Sequence, residues 1–108
     1  MSAMATPKPK PVNPKPILLK PAEVREELAR LKGWKRAGKS IVRDVALKDF
    51  ESALRFVNKV ARVAERSDHH PDIDIRWNKV RLALSTHASG GLTALDFQVA
   101  AQIDDIAA

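Results

Sequence analysis

A chain of 108 residues fits a single domain. It has no cysteine, which excludes disulfides, thiol nucleophiles, thiolate zinc sites and iron–sulfur clusters. The formal charge is +6, from 19 basic and 13 acidic residues, but Lys8, Lys10, Lys15 and Lys20 put +4 of it in the first twenty positions. Residues 21–108 keep 15 basic against 13 acidic side chains. That near balance gives no dense basic face and argues against a nucleic-acid partner. Apolar runs are too short to cross a bilayer, and residues 1–20 lack the apolar core of a secretory signal. The expected location is the cytoplasm, with no membrane partner.

Six of the seven prolines fall between Pro7 and Pro21. Proline lacks the amide donor and restricts the residue before it, so PKPKPVNPKP is predicted to be an extended, disordered Lys/Pro-rich arm over residues 1–20. The folded domain is predicted over 21–108. Pro21 suits a helix start, and Val24, Leu28 and Leu31 repeat at i, i+4, i+7 before Gly33. Trp34–Ala37 and Ser40–Leu47 read as strands joined at Gly38-Lys39. Ile41, Val45 and Leu47 suit one buried face, which Arg43 interrupts.

Residues 48–66 read as the longest helix, capped by Asp49, with Phe50, Ala53, Leu54, Val57, Val60, Ala61 and Ala64 on its apolar side. Ile73, Ile75 and Trp77 alternate with charged residues as a strand. Asn78-Lys79 is the expected turn, and Val80, Leu82 and Leu84 make a fourth strand. After Gly90-Gly91, Thr93 caps a last helix carrying Leu95, Val99, Ile103 and Ile106. The order α-β-β-α-β-β-α with hairpins implies an α+β fold: a four-stranded antiparallel sheet covered on one face by helices.

All three histidines lie between Asp68 and His87. Singly, each suits a surface or capping position. Together with Glu65 and Asp96 they raise two chemistries. A zinc or iron site is one, but adjacent His69 and His70 diverge in extended backbone, and no HxH or HxxxH pair preorganises two imidazoles. The expectation is no metal. Proton transfer is the other, since imidazole changes charge near neutral pH. Glu65 and Asp96 could orient the rings, and Trp34 and Trp77 could wall a pocket. From the residues alone this is a histidine acid–base site without a substrate.

These residues resemble the signature of the pterin-4a-carbinolamine dehydratase family. Glu65, three residues, His69-His70-Pro71, five residues, Trp77, nine residues, His87, eight residues and Asp96 meet its spacing. DHHPDIDIRWNKVRLALSTH, GGLTALDFQVA, LKDFESALRFVNKVA and Gly33-Trp34 are also similar to it. The resemblance covers about residues 21–106 and leaves the arm out. It implies the same element order, and loss of water from 4a-hydroxytetrahydropterin to give quinonoid dihydropterin, with the pterin as substrate and no cofactor. It implies that His69 and His87 are the acid–base pair, that His70 binds and positions the pterin, and that Glu65, Asp96 and Trp34 contribute to binding. Some members of the family are binding proteins, so a non-catalytic interaction or dimerisation module is the alternative.

A homodimer or homotetramer is expected. A domain of this size buries limited apolar surface by itself. The fourth strand, last in chain order, is predicted to be an open edge, and Phe97, opposite Val99 on the last helix, is predicted to lie in an interface.

Overall fold

A computed structural model describes residues 16–107. The Lys/Pro arm, up to residue 15, lies outside the described residues. The elements are α1 (Pro21–Ala29), β1 (Trp34–Ala37), β2 (Ser40–Ala46), α2 (Phe50–Ser67), β3 (Asp72–Arg76), β4 (Lys79–Leu84) and α3 (Ala94–Ala107), with a short 3₁₀ turn over His87–Ser89. The four strands form one antiparallel sheet in the order β1-β2-β4-β3. Ile41, Val80, Leu82 and Leu84 from its covered face join Phe56, Val60 and Val63 of α2 and Val99, Ala100 and Ile103 of α3 in one core. The predicted α+β class and element order hold. Among the described residues, no helix is long and apolar enough to cross a membrane.

Several local expectations change. β4 is not an edge; it lies between β2 and β3, and the edges are β1 and β3. Chain order misled here because the β3–β4 hairpin inserts its second strand against β2, where the apolar alternation of Val80, Leu82 and Leu84 is fully covered. Phe97 is 5% exposed and belongs to this chain's own core, not to a surface left for a partner. The buried side of α2 is Ala53, Phe56, Val60, Val63 and Ala64, whereas Phe50 and Leu54 are exposed. The stripe through Phe56, Val60 and Val63 keeps the same i, i+4, i+7 spacing but is rotated from the predicted one, and periodicity cannot choose between two neighbouring stripes.

The β3–β4 turn is Trp77-Asn78, since Arg76 pairs with Lys79. Trp77 takes the left-handed backbone conformation at φ 54° and is 69% exposed at the hairpin tip. The turn is tied down by Asn78: Leu47 N–H donates to its carbonyl at 2.8 Å, and its Nδ2 donates to Leu47 O at 2.9 Å.

The packed structure also starts before Pro21. Leu19 N–H donates to Leu92 O at 2.9 Å, its side chain packs against the core, and the Ser89 hydroxyl donates to Pro16 O. Residues 16–20 therefore run as a strap over the connection between β4 and α3.

Candidate functional site

His69 is placed by the way α2 ends. Asp68 adopts the left-handed conformation at φ 48°, and the chain closes with Asp68 N–H on Glu65 O and His69 N–H on Ala64 O. This two-bond closure satisfies the last carbonyls of the helix and turns the chain sharply. His69 thus leaves the helix axis and points its ring toward the start of α3.

Asp96 is placed by the way α3 begins. Thr93 precedes the first turn, its hydroxyl accepts from Leu95 N–H at 3.3 Å, and Asp96 reaches back so that Oδ2 accepts Thr93 N–H at 2.9 Å. This reciprocal cap accounts for the Thr-x-x-Asp spacing. It uses only one of the two carboxylate oxygens. The other, Oδ1, lies 2.6 Å from His69 Nε2. Asp96 is fully buried and the His69 side chain is 11% exposed.

Thr86 completes the arrangement. Its hydroxyl donates to Asp96 Oδ2 at 2.9 Å and lies 2.7 Å from the Thr93 hydroxyl. Thr86 is held there because the chain after β4 folds back on itself. Thr86 N–H donates to Gly91 O at 2.9 Å, and Thr86 O accepts from Ser89, Gly90 and Gly91. Gly90, at φ 76°, makes that reversal in a left-handed backbone conformation that glycine adopts at no steric cost. The next residue, His87, opens the 3₁₀ turn and is exposed at the rim. The buried Thr86–Asp96 bond thereby links the segment that carries His87 to the His69–Asp96 pair.

Glu65 and His70 form a second pair at 2.5 Å between Oε2 and Nε2. Both are exposed, so the pair contributes little to stability. A shallow concavity beside them is lined by Ala61, Arg62, Glu65 and Arg66. Trp34 stands apart. It is buried, and its indole Nε1–H donates to Asp104 Oδ1 at 2.7 Å. Asp104 lies eight residues beyond Asp96 on α3, ~12 Å along the axis at 1.5 Å per residue. Trp77 sits at the far end of β3 from His70, a strand of five residues away, roughly 16 Å. Neither tryptophan walls the histidine corner within one chain.

Among the described residues, no group of three or more metal-ligating side chains gathers. A second concavity, on the uncovered face of the sheet, is lined by Asp44, Asp74, Arg76, Lys79 and Arg81 among others. Its carboxylates are paired, Asp44 with Arg81 and Asp74 with Arg76, and it holds no histidine. The expected acid–base residues therefore lie outside it, with His69 and Asp96 at the α2–α3 corner. Sequence reasoning missed Thr86 and gave Thr93 only a capping role. The signal was present, since Thr86 precedes His87 and Thr93-x-x-Asp96 has capping-box spacing.

The arrangement can move a proton. A carboxylate accepts and does not donate, so His69 presents Nε2–H to Asp96. Its Nδ1 has no protein partner among the described residues. In the neutral ring that nitrogen is a lone-pair base; in the charged ring it is an acid.

The family model for pterin 4 alpha carbinolamine dehydratase matches residues 17–106. A protein of Roseiflexus castenholzii, provisionally named a pterin-4-alpha-carbinolamine dehydratase, is 56% identical over 89 residues, 82% of this chain and 96% of its own length. One of Nocardia farcinica with the same provisional name is 47% identical over 90 residues, 83% of this chain and 95% of its own. A crystal structure of a transcriptional coactivator/pterin dehydratase from Brucella melitensis superimposes with a TM-score of 0.80 at 36% identity, covering 83% of this chain and 98% of that one. A pterin dehydratase-like RuBisCO assembly factor of the alpha-carboxysome shares the fold, with a TM-score of 0.60 at 22% identity over 70% of this chain and 90% of that one. By sequence and by fold, the chain belongs to the pterin 4 alpha carbinolamine dehydratase family.

Proposed function

We propose that this protein dehydrates 4a-hydroxytetrahydropterin to quinonoid dihydropterin in the cytoplasm, with His69 and His87 exchanging the protons. The observation that carries the reading is the fully buried Asp96 holding His69 by Nε2 and leaving Nδ1 for a ligand. Hydroxide is a poor leaving group, so an acid protonates the C4a hydroxyl as the C4a–O bond breaks. The N5 lone pair forms the C4a=N5 bond, and a base takes the N5 proton. One proton is given and one is taken, nothing is oxidised, and the reading uses no metal or cofactor. His70, paired with Glu65 beside the acid–base ring, binds and positions the pterin. Stopped-flow measurement of 4a-hydroxytetrahydropterin breakdown tests this. A rate no faster than the spontaneous reaction defeats it.

A second reading is a non-catalytic interaction module. It is favoured by the exposed Phe50 and Leu54 on α2 and by the coactivator in the name of the Brucella relative. The proposal includes a homodimer or homotetramer, formed through this α2 stripe or the open β3 edge rather than through β4 or Phe97. Light scattering at micromolar concentration decides it, a mass near the 11.9 kDa of one chain ruling assembly out.

A further inference from the structure

We propose that Thr86 is a positioning residue for proton transfer, its hydroxyl fixing the Asp96 carboxylate so that His69 carries its proton on Nε2 and keeps Nδ1 for substrate. The inference rests on the dehydratase reading for its kinetics, though not for the tautomer itself.

The argument is one of counting hydrogens. Thr86 and Thr93 are both buried, 5% and 1% exposed, and each hydroxyl has a single proton to give. The two oxygens are 2.7 Å apart, so one of the two hydroxyls donates to the other. If Thr86 donated to Thr93, its oxygen lone pairs would face those of Asp96 Oδ2 at 2.9 Å, a repulsive contact between buried groups. The opposite polarity satisfies every atom. Thr93 donates to Thr86, Thr86 donates to Asp96 Oδ2, and Thr93 oxygen accepts Leu95 N–H. Oδ2 then holds two donors, Thr86 Oγ1–H and Thr93 N–H, which leaves Oδ1 for His69. The chain of donors ends on an acceptor, so the proton between Asp96 and His69 belongs to Nε2. A ring oriented this way has its tautomer set before substrate arrives, as for histidines held by a carboxylate in other sites.

Nitrogen-15 NMR of the labelled full chain reads the tautomer directly through long-range correlations of the His69 ring. In the wild type the neutral ring is expected as Nε2–H. Thr86→Val replaces the hydroxyl by a methyl of similar shape. It is expected to let the Nδ1–H form appear and to lower kcat about 10- to 100-fold with KM within about twofold. Thr86→Ser restores both. A role in stability alone would lower the unfolding midpoint of Thr86→Val but leave its kcat and ring pattern as in the wild type, and that result overturns the proposal. So does a wild-type ring protonated on Nδ1, a measurement that stands even where Thr86→Val fails to fold. If the wild type does not accelerate dehydration, the dehydratase reading fails, and the ring pattern of the wild type and Thr86→Val still decides the positioning.

Discussion

The Trp34 indole and the Asp104 carboxylate, 70 residues apart in sequence, are joined by a 2.7 Å hydrogen bond that ties the start of β1 to the last turns of α3. Arg43, which interrupts the apolar face of β2, pairs with the same carboxylate, and Lys32 N–H donates to it at 2.8 Å. The side chains of Arg43 and Asp104 are 16% and 10% exposed. One carboxylate thus satisfies three donors, of which the part-buried Trp34 and Arg43 would otherwise be stranded at the edge of the core. Asp104→Ala is expected to lower stability by about 2–3 kcal/mol, because partly buried donors lose their partner. It should leave the dehydration rate of the folded protein unchanged, since the cluster is remote from His69. Urea denaturation and stopped-flow rates on one preparation check both halves.

His69→Ala and His87→Ala are each expected to lower kcat by roughly 10²–10⁴-fold, the usual contribution of a general acid or base. Neither should unfold the protein, since His87 is exposed and His69 packs at the rim of the site. His70→Ala should raise KM more than it lowers kcat. Wild-type rates in both His69→Ala and His87→Ala would remove the acid–base assignment.

The strap over the β4–α3 connection makes a prediction about truncation. A chain beginning at Pro16 keeps the Leu19–Leu92 hydrogen bond and the Ser89 contact. A chain beginning at Lys20 loses both, together with the packing of Leu19. The second should be less stable than the first by about 1–2 kcal/mol. For a domain of this size that is about 5–10 °C in Tm. Equal melting temperatures would mean that the strap contributes nothing.

Acid sensitivity should trace in part to the start of α2. The Ser52 hydroxyl and then the Ser52 backbone amide hold the Asp49 carboxyl below its ordinary 3.8. A depressed carboxylate contributes stability that is present above its unfolded value and is lost as pH falls through its folded value. Asp49→Asn keeps the capping oxygen without the titration, so its urea midpoint should fall less between pH 7 and pH 3 than that of the wild type. An identical fall in both proteins would place the acid sensitivity elsewhere.

The reaction as proposed needs no metal. Dialysis against a strong chelator should leave the rate unchanged, and elemental analysis should find no stoichiometric metal. Activity lost on chelation and restored by one metal would revise the mechanism.

The elements were legible in the sequence because each is written in local chemistry. The span Trp34–Ala37 follows from its place between Gly33 and the Gly38-Lys39 turn, the start of α2 from the Asp49 cap, and α3 from Thr93 and its apolar period. The His69–Asp96 contact joins two residues that the motif spacing had already singled out. Three things were not. The strand order β1-β2-β4-β3 depends on which strand the sheet buries, and chain order says nothing of that. The choice between the Phe56 stripe and the Phe50 stripe of α2 depends on what the helix meets, because both stripes have the helical period. The partners of Arg43, Trp34 and Thr86 lie on α3, at long range, and a buried polar group finds its partner only when the tertiary structure brings the two together.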